Sequence, residues 1–327
     1  GAYNTIIGGY AGYTQTTQSN NTYVGHNCGK IPNNANNTAM GKDSMLGGTS
    51  SNAHTSSAFG LNSLKNVTTG YYNSCFGVNT GPDITTGHSN SFFGHEAGDH
   101  CTTGANNVAI GIYCLSAASF TGSNNTFGGY AAGNTVTTGT SNTAWGYAAG
   151  SGITSGTNNT MLGMSAGQAS SPSGVVSTAS GIVCLGNNQI SSLYCNDTSI
   201  SSSDARDKTD ITEWTHGLDW VNQLKPITYR WDKRAWYVDD PSTPQDEGVP
   251  DGSKKTARLH LGFKAQDVLA VEQADGYAHK KDDMLMVNIN EDETAYGMKY
   301  ERLVVVLTKA VQELSAEIEQ LKSQINN

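Results

Sequence analysis

The chain of 327 residues carries 28 acidic and 19 basic residues, and only 36% of it is hydrophobic. With 38 glycines and many Asn, Ser and Thr residues, this composition excludes one ordinary globular core, which needs more apolar side chains. The net charge of −9 argues against a nucleic-acid partner, because phosphate binding needs clustered Lys and Arg.

No run of eighteen apolar residues and no leader of basic residues followed by apolar ones is present, so we expect no membrane insertion and no signal peptide. The chain begins at Gly1 inside a repeat, which predicts a fragment of a longer protein. The six cysteines form no CxxC pair and no metal-ligand spacing with histidine. We interpret them as small apolar core residues and expect no metal and no other cofactor.

Residues 1–200 consist of about ten copies of the phrase NTxxGxxAG at a period near 17 residues. Each copy predicts a short strand of about four or five residues, a glycine, a second short strand and a turn. A glycine at a fixed place predicts a positive φ or a close approach to another chain. Large apolar residues precede these glycines and predict a ladder along one face: Val24, Met40, Phe59, Phe76, Phe93, Ile110, Trp145 and Leu162.

One apolar ladder cannot form a core by itself. We therefore expect coils that stack within each chain and three chains around a fibre axis, which would cover the ladder and the strand edges. The phrase resembles the repeats in the heads of trimeric autotransporter adhesins, whose Asn-rich and Gly-rich units stack as a β-roll in a trimer. The spacing is longer and less regular here, so a β-prism and an interwound β-helix remain alternatives.

The composition changes after Ile200, where Trp, Lys, Arg, Asp and Glu become frequent and the period stops, so a new domain begins. Near its start, Ser203 precedes Lys208 by five residues. A lysine whose pKa is lowered by desolvation or a nearby positive charge can act as the base for a serine nucleophile. The spacing alone is equally typical of a solvated loop.

A wider pattern of motifs around Ser203 and Lys208 favours the catalytic interpretation of this spacing. It consists of SDARDK at residues 203–208, LKPITYRW at 224–231, LGFKAQDV at 261–268 and a terminal heptad helix. In this order the motifs resemble the intramolecular chaperone of phage endosialidases and tail fibres, a self-cleaving serine peptidase module that also occurs in the myelin regulatory factor. The resemblance covers roughly residues 201–327.

The resemblance implies that the chaperone drives homotrimer assembly and then cuts the bond before the motif serine, which is Ser202–Ser203 here. It implies Ser203 as nucleophile and Lys208 as general base in a single-turnover endopeptidase, without activity on external substrates. Asp204 and Arg206 would hold the loop or bridge subunits. In the family, only the assembled trimer fixes the geometry of the serine and the lysine.

The segment from Tyr300 predicts a helix with a coiled-coil heptad pattern. The positions that would form its contact face are Val304, Leu307, Val311, Leu314, Ile318, Leu321 and Ile325. β-Branched residues at a with Leu at d favour dimers in isolated parallel coils, so a trimer would have to be specified by the shaft and the chaperone body. The insertion at 237–257 predicts a solvated protruding loop.

The sequence thus predicts a mainly β protein: a repeat-built β-roll or β-helix shaft at 1–200, an α+β chaperone at 201–302 and a parallel coiled coil at 303–327. The leading hypothesis is a viral tail fibre or spike, assembled in the host cytoplasm, located in the virion and directed to an unknown host receptor. The alternatives are a bacterial adhesin with a non-cleaving trimer clamp, a polysaccharide hydrolase and a membrane-released regulatory factor. Missing membrane spans, paired carboxylates and basic regions argue against these alternatives.

Overall fold

A computed structural model describes residues 1–30, 35–47, 53–190, 193, 203–238, 247–290 and 293–326. The chain divides into two compact units, Gly1–Gln189 and Ile190–Asn327. The first unit is a β-solenoid, and the second is a small α+β region that ends in a long helix. The prediction of a mainly β chain with an α+β region and a C-terminal helix is therefore confirmed.

The solenoid is one parallel sheet whose eleven strands follow each other in chain order. Each strand has three residues and pairs in register with the strand of the next coil. The strands are β1 Thr5–Ile7, β2 Thr22–Val24, β3 Thr38–Met40, β4 Ser57–Phe59, β5 Ser74–Phe76, β6 Ser91–Phe93, β7 Val108–Ile110, β8 Thr126–Gly128, β9 Thr143–Trp145, β10 Thr160–Leu162 and β11 Val183–Leu185.

The predicted second strand of each unit is wrong for the described repeats, where a turn follows the glycine. At Gly94, φ is +137°, and a Cβ atom would lie 2.4 Å from the carbonyl oxygen of Gly111 in the next coil. The glycine therefore has the expected positive φ, whereas its close neighbour belongs to the next coil of the same chain and not to another chain. Two residues later Glu96 has a φ of +54°, so the backbone turns and cannot continue as a strand.

A column of buried asparagines holds the coils together. The amide nitrogen of Asn107 donates to Asn90 Oδ1 at 3.1 Å and to the carbonyl oxygen of Gly122 at 3.0 Å. Its Oδ1 accepts from the backbone N–H and the side-chain amide of Asn125 at 3.0 and 3.1 Å. Every polar atom of this side chain is therefore paired away from water, and the same pattern recurs along the shaft.

Asn107→Asp is expected to lower the unfolding temperature of the shaft, because it places an uncompensated carboxylate against two oxygens at a cost of about 3–5 kcal/mol. The matched control is Asn106→Asp. Asn106 is exposed and makes one amide contact, to Asn124, at a positive φ that aspartate tolerates. Thermal unfolding followed by circular dichroism should show the large loss for position 107 alone. Equal losses at both positions would contradict the buried column.

The core of the solenoid consists of the second residue of each strand together with apolar turn residues. Cys75 and Phe92, for example, are fully buried, as are Cys101 and Cys114. Burial raises the pKa of Cys101 and of Cys114 to about 12, so these thiols stay protonated. The cysteines of the described residues are free and buried, consistent with apolar core residues; Cys195 lies outside the described residues.

The predicted apolar ladder lies on the outside of the solenoid. We call it the outer ladder, and it is formed by the third strand residues Ile7, Val24, Met40, Phe59, Phe76, Phe93, Ile110, Trp145, Leu162 and Leu185. The rings of Phe59, Phe76 and Phe93 stack in parallel at 4.8 and 5.0 Å between centroids. Phe93 is nevertheless 39% exposed and Trp145 is 44% exposed.

A second exposed column, apolar apart from His95, follows the glycines and was not predicted. It consists of Leu61, Val78, His95, Ile112, Tyr130, Tyr147 and Met164, one residue from each successive coil. Tyr130 and Tyr147 stack in parallel with their ring centroids 5.4 Å apart. Together the outer ladder and this second column leave a broad apolar strip along one chain, an uncommon feature of a monomer surface.

The second unit contains three α-helices, two antiparallel strand pairs and four 3₁₀ turns in its described residues. The helices are α1 Leu218–Gln223, α2 Ala265–Ala274 and α3 Leu303–Ile325; the strands are β12 Ile227–Tyr229, β13 His260–Gly262, β14 Val287–Ile289 and β15 Tyr296–Met298; and the turns are Ala205–Asp207, Arg234–Tyr237, Lys281–Asp283 and Tyr300–Arg302. Strand β12 pairs with β13 and β14 pairs with β15. No helix among the described residues has the length and apolar character that a membrane span requires.

Helix α3 uses only part of its surface within its own chain. Val306 and Ala310 are buried, and α3 packs against α1. The Glu313 carboxylate accepts a 2.8 Å hydrogen bond from the backbone N–H of Leu218 at the start of α1. The predicted heptad positions all remain exposed, from Leu314 at 45% to Ile325 at 82%. This exposed apolar row is called the α3 seam below.

Candidate catalytic dyad

Ser203 and Lys208 meet in the structure. Lys208 Nζ donates a 2.8 Å hydrogen bond to Ser203 Oγ, which is the distance that proton transfer between a hydroxyl and an amine requires. A single 3₁₀ turn over Ala205–Asp207 reverses the chain between them, and the backbone N–H of Lys208 bonds to the carbonyl oxygen of Ala205. Both side chains are exposed. The segment can therefore bring a nucleophile and a base together from local contacts alone.

Asp204 and Arg206 build the turn that lies between the two dyad residues. Asp204 Oδ1 accepts from the backbone N–H of Arg206 at 2.9 Å, which caps the turn. The guanidinium of Arg206 also donates two hydrogen bonds to this carboxylate, from Nε to Oδ1 at 3.0 Å and from Nη2 to Oδ2 at 2.6 Å. These hydrogen bonds hold the pKa of Asp204 below its ordinary value, the side-chain bonds being the larger cause. The carboxylate is thus the charged species that fixes the turn.

The residues after the dyad contact the body of the second unit. Glu213 lies 3.7 Å from Lys309 of α3, and Trp214 packs edge-on against Trp220 with ring centroids 5.0 Å apart. Trp220 is fully buried in the apolar cluster of this unit, and its indole N–H donates to Asp275. The segment that carries the dyad is therefore connected at its C-terminal end to a packed core.

Ser202, the residue before the proposed cut, lies outside the described residues. The predicted insertion at 237–257 is described only in part, since residues 239–246 also lie outside.

One buried acidic residue was missed by the sequence analysis. Glu272 of α2 is fully buried, and its carboxylate accepts backbone hydrogen bonds from Leu285, Met286 and Val287 at 2.6–3.0 Å. A carboxylate with several backbone donors is stable away from water. It joins α2 to the segment that enters β14. Its position four residues after Val268, on the buried face of α2, was the available signal.

Two groups in the described residues could offer ligands to a metal ion: Asp83 with Asp99 and His100, and His216 with Asp219 and Asp275. Both groups are at least partly exposed, and in each the histidine already contacts a carboxylate. His100 contacts Asp83 at 3.0 Å, and His216 contacts Asp219 at 2.9 Å. Ordinary surface pairing accounts for both groups.

Comparison with known families decides which module this unit contains. Residues 203–277 match the family model for the chaperone of endosialidase, of the family Peptidase_S74. This part of the second unit is thus similar to the chaperone of endosialidase. The match begins at the dyad serine and extends beyond Trp220 and Glu272, and it covers less than half of the chain. No curated protein and no solved structure matched the chain.

The match confirms the recognition made from the sequence motifs, an intramolecular chaperone preceded by a β-repeat region. It supports a phage-type tail fibre or spike with such a chaperone, and self-cleavage as the general chemistry of this region.

Proposed function

We propose that this chain belongs to a trimeric viral tail fibre or spike, in which the chaperone that follows the shaft drives assembly and then cuts the Ser202–Ser203 bond. The observation that carries the proposal is the 2.8 Å contact between Lys208 Nζ and Ser203 Oγ, at the first residues of the family match.

The cut proceeds in two covalent steps. Ser203 Oγ forms a bond to the carbonyl carbon of Ser202 while Lys208 takes the hydroxyl proton. The C–N bond between Ser202 and Ser203 then breaks, and the proton passes to the departing nitrogen of Ser203. The product is an ester between Ser203 Oγ and the Ser202 carbonyl. Water hydrolyses this ester, leaving a carboxylate on Ser202 and restoring the Ser203 hydroxyl.

In this scheme Asp204 and Arg206 position the reacting residues and take no part in the covalent steps. Neither side chain contacts the Ser203 hydroxyl in the described structure, and both are occupied by their mutual pair. They hold the turn that directs Lys208 toward Ser203.

The apolar strip of the shaft supports assembly with two further copies of this chain. The outer ladder and the second column expose aromatic and aliphatic side chains along successive coils, although a full core already lies inside each coil. Burial of such a strip between copies contributes about 25 cal/mol for each Å² of apolar surface removed from water. A fibre axis would let equivalent columns of three chains face each other.

The α3 seam supports the same assembly. Its seven apolar residues follow the three-four spacing of a coiled coil and remain unpaired in the single chain. A parallel coiled coil aligns equivalent residues of each copy, which is the alignment that identical shafts need. In the virion, such a fibre would contact a host cell-surface receptor after the chaperone has been cut off. Assembly of the chain would precede this, in the host cytoplasm.

The direct test measures mass before and after incubation. Light scattering of the native protein before cleavage should give three times the chain mass. Intact mass spectrometry of the denatured protein should give two products, residues 1–202 and a fragment that begins at Ser203. A monomer that stays uncut under all conditions would contradict the proposal.

A further inference from the structure

Each coil of the shaft completes its core within one chain. The inward strand residues Phe92 and Phe127 are fully buried in the single chain, and the buried apolar side chains of the shaft form one continuous cluster. Strands β2 to β10 are paired on both edges by strands of the same chain. The buried side chain of Asn107 also finds its hydrogen-bond partners in the neighbouring coils. The apolar strip on the outside of the coils is what a further chain could cover.

The contacts that build this core are local along the chain. Asn90 bonds to Asn73 and Asn107 bonds to Asn90, each across 17 residues of sequence. A coil therefore needs only the coil before it and the coil after it, and closing a loop of this length costs little conformational entropy. Repeat folds with such contacts can start at one place and extend unit by unit. No step of this kind requires a second chain.

Helix α3 of the second unit is different, because half of it has no cover in the single chain. Its buried residues, Val306 and Ala310, lie near its beginning. From Leu314 to Asn326 every residue is exposed. A helical stretch of about 12–15 residues without packing is marginal in water, so this half of α3 needs partner helices along the α3 seam to be stable. The part of the fold that depends on assembly therefore lies in the second unit and not in the shaft.

We propose that the coils of the shaft fold in the single chain, and that the chaperone acts on folded coils, whose apolar strip it brings together with the strips of two further copies. This inference rests on the proposed function and names the client of the chaperone: a folded stack of coils, not an unfolded chain. Association of the α3 seams would hold the shafts at an effective concentration of about millimolar, as a tether does.

The composition of the strip favours another copy of this chain as its occupant. From Phe59 to Met164 the outer ladder and the second column contain no lysine, arginine or carboxylate. An identical strip can therefore cover it without burying an unpaired charge of these types. The identical strip also has the same spacing from coil to coil, so its side chains meet equivalent side chains along the whole length.

The first experiment separates the α3 seams in the full chain. The parent carries Ser203→Ala so that the chaperone stays attached, and the seam variant adds Leu314→Asp and Leu321→Asp. Hydrogen exchange followed by mass spectrometry should show the amides of β2 to β10 protected as in the parent, at least about 100-fold over the protein unfolded in urea. Light scattering should show trimers only at a concentration at least about 100-fold higher than in the parent, because a buried carboxylate without a partner weakens association by that factor or more. Ala316→Asp is the matched control, exposed on α3 outside the seam, and should assemble as the parent does.

The second experiment unfolds the second unit from within. Trp220 is fully buried in the apolar cluster of this unit, so Trp220→Asp places a carboxylate inside that cluster. In this full-length variant the amides of β14, β15 and α3 should exchange as in an unfolded chain, while those of β2 to β10 keep the protection of the parent. Phe92→Asp, the corresponding change in the core of a coil, should remove the protection of the neighbouring coils.

The outcomes separate this inference from the proposed function. Coils that exchange as an unfolded chain in the seam variant or in Trp220→Asp would mean that the chaperone folds the shaft, and the inference would be withdrawn. Trimers of the seam variant at the concentration of the parent would refute the tether, and a seam variant without trimers at any concentration would mean that the chaperone supplies more than proximity. If instead the Ser203→Ala parent is a monomer, or the wild-type protein stays uncut, the proposed function fails, whatever the exchange of the coils shows.

Discussion

Ser203→Ala is expected to abolish cleavage at 202–203 while the chain still folds and assembles. The substitution removes the one oxygen that can form the ester, and this side chain is exposed, so no core contact is lost. Lys208→Arg should slow the reaction at least 1,000-fold, since a guanidinium keeps the charge but does not release its proton near neutral pH. Denaturing electrophoresis and intact mass after equal incubation measure both effects.

Thr209→Ala is the matched control for these variants, because Thr209 is exposed, adjacent to Lys208 and outside the dyad. It should be cut at the wild-type rate. In assembled protein the rate should be first order and independent of concentration, because each chain carries its own serine and lysine. Continued scission at this bond in Ser203→Ala would assign the cut to another nucleophile or to a contaminating protease, and the catalytic proposal would be withdrawn.

Much of the shaft fold could be predicted from the repeat, because a period near 17 residues with glycine at one place permits few folds. The strand position and the glycine conformation followed from that period, but the core inside each coil, built on the second residue of each strand, was not predicted. The second strand was predicted wrongly, because alternation of apolar and polar residues after the glycine looks the same in a strand and in a turn with positive φ. Asn62 and Glu96 adopt such a φ.

Strand β11 shows a different limit of sequence reasoning. It pairs Val183 with Thr160, although the intervening segment is longer than a repeat and carries no NTxxG phrase. This pairing is made by backbone N–H and C=O groups. Every sequence carries these groups, so the residue types do not reveal the pairing. Asn159 helps, because its Oδ1 accepts from the backbone N–H of Ile182 at 2.9 Å. The asparagine column thus ends at Asn159, whose side chain holds the coil that follows the last repeat of the sequence.

The pair of Ser203 and Lys208 could be predicted from the sequence only because a family motif surrounded these two residues. A serine and a lysine five residues apart are common, and the turn that joins them depends on a cap and an ion pair that no periodicity reveals. The buried position of Glu272 was even harder to predict from the sequence. A glutamate within a short helix predicts a solvated face, whereas its three backbone partners come from a segment more than ten residues away in sequence.

Phe93→Asp is expected to leave the single chain folded and to prevent assembly. Phe92, next to it, is fully buried in the coil, while Phe93 points outward and is 39% exposed, so an aspartate at 93 stays in water as long as the chain is alone. In a trimer the same carboxylate would be buried against apolar side chains without a partner. That costs about 3–5 kcal/mol, a loss of affinity of more than a hundredfold.

The assembly measurement uses the Ser203→Ala background, so that the chaperone stays attached during the experiment. Light scattering over a range of concentrations should give a trimer for the parent and for the control Thr86→Asp, which adds the same charge at an exposed turn residue away from the outer ladder. Phe93→Asp should give a monomer whose circular dichroism spectrum matches that of the parent, and Phe93→Leu should restore the trimer by returning apolar surface. A trimer of unchanged affinity in Phe93→Asp would mean that the outer ladder faces solvent in the assembled fibre, and the contact between shafts would have to lie on another face.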